Sequence, residues 1–149
     1  MTVARPTAPA LRARRRPWRN WARTVEGRPA RVVVPADAAD VAATLVTAHR
    51  EGLRVKPVGS GHSFTSVALT DGVQIRLDRL TGILDIDVDP ATGRGLATVA
   101  AGTPMHAFNA DLARHRLGLA TMGDVDVQTV SGAVATGTVS IAAGERRSG

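Results

Sequence analysis

The first part of the chain alternates strand signals with one helix signal, which restricts the folds open to it. Residues 28–35, RPARVVVP, and residues 53–58, LRVKPV, are short β-branched runs typical of buried strands. Between them, Asp37 and Asp40 predict the capped first turn of a helix, and Gly52 predicts its left-handed end. The buried face of this helix is predicted to carry Val41, Leu45 and Ala48. The order is therefore strand, helix, strand with short connections.

From residue 73 onward, apolar and polar side chains alternate. Residues 73–80, 83–89 and 95–102 each have the period of a strand with one buried face. Pro90 to Gly93 supply turn residues between the last two segments, which predicts a hairpin. The expected fold class is α+β, with a mixed sheet and flanking helices.

A second helix is predicted to begin at Thr103 and Pro104, with threonine as the cap and proline in the first position. Gly118 is predicted to end it. Its buried face is expected to comprise Met105, Phe108 and Leu112. His49 and His106 have no partners at metal-ligand spacing and are interpreted as helix-surface residues. His115 is placed in the last turn of the second helix, where a cation interacts favourably with the helix dipole.

The positive charge of the chain is concentrated at its N-terminus. Seven arginines precede the first acidic residue, Glu26, which leaves 12 of the 19 basic residues against all 13 acidic ones. Residues 1–17 are rich in Arg, Pro and Ala and are expected to be a disordered tail. Because the remainder is close to neutral, and few aromatic residues accompany the tail arginines, the sequence argues against nucleic acid as a partner.

The sequence lacks long apolar segments and lacks cysteine. The chain has no apolar run long enough to cross a membrane and no secretory apolar core, although the basic tail leaves a transit peptide and peripheral membrane association open. It contains no cysteine, so disulfides and thiolate sites are excluded. These features suit a cytoplasmic location.

A glycine-rich loop, PVGSGHSFT at residues 57–65, follows the second strand. A P-loop is excluded because no lysine follows the glycines, and a dinucleotide-binding turn is excluded because Phe64 stands where a third glycine is needed and no helix follows. What remains is a loop whose backbone N–H groups could hold phosphate and which ends in His62. The alternative is a tight turn in which His62 has no chemical role.

A second stretch of small residues, MGDVDVQTVSGAVATGT at residues 122–138, repeats this chemistry. Its glycines permit close approach and its hydroxyl side chains could contact a ligand. Together the two stretches could hold the two ends of a long pyrophosphate cofactor. The alternative is a helix of small residues packed against a sheet.

Several blocks, in order, resemble the sugar-1,4-lactone and alditol oxidases. They are WRNW (18–21), PVGSGHSFT (57–65), LDRLTGILDID (77–87), VAAGTPM (99–105) and RHRLGLATMGDVDVQTVSGAVATGT (114–138). These enzymes belong to the vanillyl-alcohol-oxidase group, and the resemblance covers the N-terminal portion of their p-cresol-methylhydroxylase-type FAD-binding domain. It implies an FAD-dependent oxidase of a CH–OH group in a lactone of the D-arabinono-1,4-lactone type or in an alditol, with O₂ as acceptor.

The resemblance also implies which residues contact FAD. His62 matches the histidine that attaches covalently to the 8α methyl carbon of the flavin, a reaction suited to a neutral imidazole nitrogen. The matched cofactor contacts are Pro57, Val58, Gly59, Ser60, Gly61, His62, Ser63, Asp124, Thr129, Gly132, Thr136, Gly137 and Thr138. No catalytic base is matched.

The pattern of the family breaks off after Thr138, where Val139 replaces an expected histidine. Residues 18–138 are therefore interpreted as an incomplete FAD-binding domain and residues 139–149 as a tail unlike the family. A truncated, frame-shifted or split gene is the expected origin. Alternatives to an FAD enzyme are a non-catalytic remnant or interaction module without flavin, and a nucleic-acid binder; a dehydrogenase using another electron acceptor is also open.

Overall fold

The computed structural model describes residues 17–138. The predicted tails at residues 1–17 and 139–149 lie outside this range, apart from Pro17. The chain divides between Arg79 and Leu80 into two compact units, which are described separately below. No helix within residues 17–138 combines the length and apolar character that a membrane span requires.

The first unit opens with a small antiparallel hairpin that the sequence did not predict. Strand β1 spans Trp18–Arg19 and strand β2 spans Glu26–Gly27, with Trp18 opposite Gly27. The connecting turn is tight, and Arg23 adopts a positive φ of 58° within it. Residues 18–27 are called the N-terminal hairpin below.

A three-stranded parallel sheet follows. Strand β3 spans Arg31–Val33, β4 spans Val55–Val58 and β5 spans Val73–Arg76, and β5 lies between the other two. The predicted strand, helix, strand order is confirmed. The alternation predicted from residue 73 is wrong for β5, because a central strand has both faces covered: Val73, Gln74 and Ile75 are all buried.

Helix α1 spans Ala38–Arg50 and lies between β3 and β4 in the chain. Its predicted cap is confirmed, since Asp37 accepts a hydrogen bond from the backbone N–H of Asp40 at 2.8 Å. Gly52 has the expected positive φ of 66°. The predicted burial of Ala48 is confirmed, whereas that of Leu45 is wrong: this side chain is 47% exposed, and Thr44 is buried in its place.

The link between β4 and β5 is an irregular segment, residues 59–72, with one 3₁₀ turn over Ser66–Ala68. The exclusion of a dinucleotide-binding turn is consistent with it, because no α-helix follows the glycines. At its end Gly72 touches the Arg54 backbone: a Cβ there would lie 2.2 Å from the Arg54 carbonyl oxygen.

The second unit begins with the predicted hairpin. Strand β6 spans Ile83–Val88 and pairs antiparallel with β7, Gly95–Val99, and a register irregularity lies between Ile83 and Asp85. Gly93 has a positive φ of 70° in the connecting turn. Parallel and antiparallel pairs therefore both occur, as the fold class required, but they lie in separate sheets within the described part of the chain.

Helix α2 spans Met105–Arg114, and its buried side chains are the predicted ones, Met105, Phe108 and Leu112. Its ends differ from the prediction. The Thr103 hydroxyl makes no cap and instead donates to the Ala100 carbonyl at 2.6 Å, so the helix starts after Pro104. At the other end the helix stops at Arg114, four residues before the predicted Gly118, and Arg116 adopts a left-handed φ of 57° just beyond it.

Helix α3, Val130–Ala135, completes the second unit. Its Val130 and Ala133 join the buried side chains of α2, and apolar side chains of β6 and β7 pack against this cluster.

Candidate functional site

The glycine-rich loop begins where β4 ends. Pro57 and Val58 are the last residues of the strand, and the Val58 side chain is buried, so only its backbone can face a ligand. Gly59, Ser60 and Gly61 then lead to His62. Gly61 has a φ of +72°, which favours glycine, while a Cβ on it would make only an ordinary contact of 3.5 Å with the Trp18 ring.

The N-terminal hairpin holds this loop through two carbonyl groups. The Trp21 backbone N–H donates to the Gly61 carbonyl at 2.8 Å, and the Asn20 side-chain amide donates to the Ser63 carbonyl at 3.0 Å. By contrast, no hydrogen bond among residues 17–138 uses the backbone N–H of Gly61, His62 or Ser63. Three successive N–H groups are thus left for another acceptor, the arrangement that suits an anion such as phosphate.

Asn20 is the buried centre of this contact. Its side chain, 3% exposed, also donates to the Thr24 hydroxyl at 2.9 Å and accepts from the Val25 N–H at 3.0 Å. No sequence pattern predicts a role for Asn20. The only local signal was an amide between two tryptophans in WRNW, and nothing in that signal points to a loop 43 residues away.

His62 lies against an aromatic ring. The Trp21 indole stacks on its imidazole with centroids 5.1 Å apart and planes 18° from parallel. Phe64 meets the same indole edge-on, at 6.4 Å and 86°. The imidazole is half-buried, whereas the indole is 64% exposed. His62 is therefore not simply a solvent-facing turn residue.

The second predicted stretch is in part structural. Thr129 is buried, and its hydroxyl caps α3 by accepting from the Gly132 N–H at 3.2 Å. A Cβ on Gly132 would lie 2.9 Å from that hydroxyl, which explains the glycine without a ligand. The Ser131 hydroxyl donates to the Ala101 carbonyl at 2.7 Å. The alternative of a small-residue helix packed on strands describes α3 well.

The other predicted contacts of this stretch are exposed: Asp124, Thr136, Gly137 and Thr138. The Thr136 hydroxyl donates to the Gly132 carbonyl at 2.9 Å and lies 3.0 Å from the Thr138 hydroxyl. Gly137 has a φ of +66°, and a Cβ there would meet no atom of residues 17–138 within 4 Å. The backbone is therefore open to close approach at this residue.

One buried oxygen in this region was missed by the sequence analysis. The side-chain Oε1 of Gln128 is buried and has no hydrogen-bond partner among the described residues. Because a buried acceptor without a donor is costly, a bound N–H or O–H group is the natural partner for it. The predicted site residues thus fall into two groups, one in each unit.

The remaining histidines lie on or just after helices and are exposed, as predicted. His49 belongs to α1, His106 to α2, and His115 follows α2 as its C-cap. The Nδ1 atom of His106 lies 3.2 Å from the Asp126 carbonyl and donates to it. Within residues 17–138 no three His, Asp or Glu side chains cluster as a metal site would require.

Comparison with known sequences identifies the domain type. The family described as FAD binding domain matches residues 29–147. L-gulono-1,4-lactone dehydrogenase from Mycobacterium tuberculosis is 44% identical over 121 residues, which are 81% of this chain and 27% of that protein. D-arabinono-1,4-lactone oxidase from Eremothecium gossypii is 32% identical over 126 residues, 85% of this chain and 24% of that protein. The chain spans about a quarter of the length of these curated relatives.

Solved structures share the fold. Cholesterol oxidase from B. sterolicum superposes with a TM-score of 0.70 at 22% identity, covering 96% of this chain and 27% of that one. Alkyldihydroxyacetonephosphate synthase gives a TM-score of 0.64 at 21% identity over 75% of this chain and 22% of that one. At such identities the likeness concerns the fold alone. Taken with the sequence matches, it leads to one conclusion: the chain belongs to the FAD binding domain family and corresponds to the N-terminal part of sugar lactone oxidases and dehydrogenases.

Proposed function

We propose that this chain is the cofactor-binding part of an FAD-dependent oxidoreductase that oxidises a CH–OH group of a sugar-1,4-lactone, of the D-arabinono-1,4-lactone type, or of an alditol, with O₂ as acceptor. The observation that carries the proposal is the loop ending in His62, which has three backbone N–H groups without an acceptor among residues 17–138, beside an imidazole stacked on Trp21. The names of the lactone-oxidising relatives support the substrate class.

The residues of the loop fit FAD by their chemistry. The N–H groups of Gly61, His62 and Ser63 would hold a pyrophosphate, and the φ of +72° at Gly61 is a conformation that glycine adopts without strain. In the second unit, taken by itself, the exposed backbone at Gly137 and the buried Oε1 of Gln128, which has no hydrogen-bond partner among the described residues, are polar groups that a ligand could contact. When bound, FAD supplies the hydride acceptor for the alcohol carbon.

His62 is proposed as the covalent anchor. Its ring nitrogen would form a bond to the 8α methyl carbon of the flavin while losing its own proton. The methyl group would lose one hydrogen, and the two electrons released would pass to dioxygen as the terminal acceptor, giving hydrogen peroxide. The linked product then equals chain plus FAD minus two hydrogens, so the balance is complete.

The test of this anchor uses the chain alone. The purified chain is incubated with FAD in air and precipitated with acid, and flavin remaining with the protein is measured by absorbance and intact mass. We expect retained flavin with the mass of FAD less two hydrogens. His62→Ala should abolish retention, and the exposed His106→Ala is the matched control that should keep it. Retention in His62→Ala, or none in the unchanged chain, would refute the anchor.

A second candidate concerns the electron acceptor. The relative at 44% identity is named a dehydrogenase, which favours an acceptor other than O₂. The molar ratio of hydrogen peroxide released to lactone oxidised distinguishes an oxidase from a dehydrogenase, measured in a protein that carries this segment together with a substrate domain. We expect a ratio of about one for an oxidase, since O₂ takes two electrons per alcohol oxidised, and no peroxide for a dehydrogenase.

A further inference from the structure

Trp21 contacts the predicted anchor in two separate ways. Its indole stacks on the His62 imidazole at 5.1 Å, and its backbone N–H donates to the carbonyl of the preceding residue, Gly61, at 2.8 Å. Ring and main chain of the same loop are thus fixed by one residue. The stack is not a by-product of core packing, because the indole remains 64% exposed.

The main chain is also held on the other side of His62. The Ser63 carbonyl accepts from Asn20, whose side chain is buried within the N-terminal hairpin. The carbonyls of the residues immediately before and after His62 therefore both bind the hairpin, and the Cα of His62 has little freedom. With the backbone fixed, the remaining freedom of the imidazole is rotation of its side chain, and the indole restricts that rotation by covering one face of the ring.

We propose that Trp21 is a positioning residue for His62: the indole holds the imidazole in one orientation and leaves the opposite ring face and its edge for the bound cofactor. This inference rests on the function proposed above. A nucleophile held in one orientation reacts faster than a freely rotating one, because the orienting entropy is already lost before the reaction. Trp21 itself takes no part in bond formation.

A merely structural role for Trp21 gives different results from a positioning role. Loss of a structural contact would lower FAD affinity or chain stability and leave the attachment rate at saturating FAD unchanged. Loss of positioning lowers that rate while FAD affinity changes little. Phenylalanine keeps a flat ring for stacking, so Trp21→Phe should restore what Trp21→Ala loses.

The first measurement follows attachment at saturating FAD. We expect Trp21→Ala to slow the appearance of acid-stable flavin about ten-fold or more. Trp21→Phe should stay within about three-fold of the unchanged chain. Leu45→Ala, which removes another exposed apolar side chain of the first unit, is the matched control and should have no effect. An unchanged rate in Trp21→Ala would overturn the proposal.

The second measurement needs no cofactor. Diethyl pyrocarbonate modifies accessible histidines, and mass spectrometry of peptides gives the rate at each one. Trp21→Ala should raise the rate at His62 several-fold, whereas the exposed His49, His106 and His115 serve as internal controls and should not change. An unchanged His62 rate would mean that the stack does not hold the ring in solution, and would overturn the proposal.

The two measurements separate this inference from the function on which it rests. No acid-stable flavin in the unchanged chain refutes the anchor and, with it, the positioning role toward FAD. Retained flavin that is insensitive to Trp21→Ala leaves the anchor intact and refutes only the positioning role. A slower attachment together with a more reactive His62 supports both.

Discussion

Replacing Asn20 by alanine should destabilise the first unit and release the loop that carries His62. The side chain is 3% exposed and makes three hydrogen bonds, two of them to the main-chain groups Val25 N–H and Ser63 C=O. Replacing the side chain by a methyl group leaves the Val25 N–H and the Ser63 C=O without this hydrogen-bond partner, and both residues are half-buried. Each stranded buried group costs about 1–3 kcal/mol, and partial access to water favours the lower end, so the expected loss is about 2–4 kcal/mol. In a chain of this size that corresponds to a fall in Tm of roughly 5–15 °C.

Both tryptophans of the chain, Trp18 and Trp21, lie in the N-terminal hairpin, so their fluorescence during urea unfolding reports on the affected region. Thr24→Ala is the graded control, because it removes the bond from Asn20 and the long, exposed bond of 3.4 Å from the Thr24 hydroxyl to the Phe64 carbonyl, and should cost about 0.5–1.5 kcal/mol. If Asn20→Ala lost less than about 0.5 kcal/mol, the assignment of Asn20 as the clamp of the loop would be wrong.

Two further predictions concern the end of the glycine-rich segment. Gly72→Ala should lower the free energy of unfolding in urea by about 3 kcal/mol or more, because the new Cβ would lie 2.2 Å from the Arg54 carbonyl oxygen, a backbone atom that cannot turn away. The control is Gly52→Ala, which has a positive φ but no atom near its Cβ and should cost only about 1–2 kcal/mol. Equal losses in the two variants would contradict the predicted clash at Gly72. The Arg54 guanidinium donates two hydrogen bonds to the Asp71 carboxylate and lowers the pKa of that carboxyl below its ordinary value of 3.8. The ion pair therefore stabilises the folded state at pH values above 3.8, and this stabilisation is lost as the pH falls through the lowered pKa. Arg54→Gln should therefore raise the Asp71 pKa in an NMR titration, and an unchanged value would exclude the ion pair in solution.

Local sequence signals predicted the elements whose determinants are local. The Asp37 cap, the turn ending at Gly93 and the buried face of α2 depend on neighbours in the chain, and all three are present. The start of α2 depended on a contact that spacing does not encode: the Thr103 hydroxyl, besides its bond to Ala100, accepts from the backbone N–H of Gly82 at 2.9 Å.

Burial was mispredicted where hydrogen bonding or sheet position decided it. Thr44 replaces Leu45 on the buried face of α1 because its hydroxyl is satisfied by the Asp40 carbonyl at 2.8 Å, which removes the cost of burying it. Gln74 is buried because β5 turned out to be a central strand, a fact set by strand order and not by its own pattern.

Of the candidate site, the sequence predicted the loop and its histidine but not what holds them. Trp21 and His62 are far apart in the chain, and their stacking results from the way the N-terminal hairpin lies on the loop. The sequence also could not separate Thr129 and Gly132, which serve α3, from exposed residues such as Gly137.

The position of β5 has a consequence for the order in which the chain can assemble. β3 and β4 do not pair with each other, and each pairs only with β5, which is made last. A nascent chain that ends before β5 therefore carries two strands that lack their common neighbour, and β4, which leads into the loop with His62, is not yet paired in a sheet. Pairing two parallel strands is intrinsically slow, because the loop-closure entropy of the segment between them is lost before their contacts form. We therefore expect cofactor loading to follow synthesis of β5.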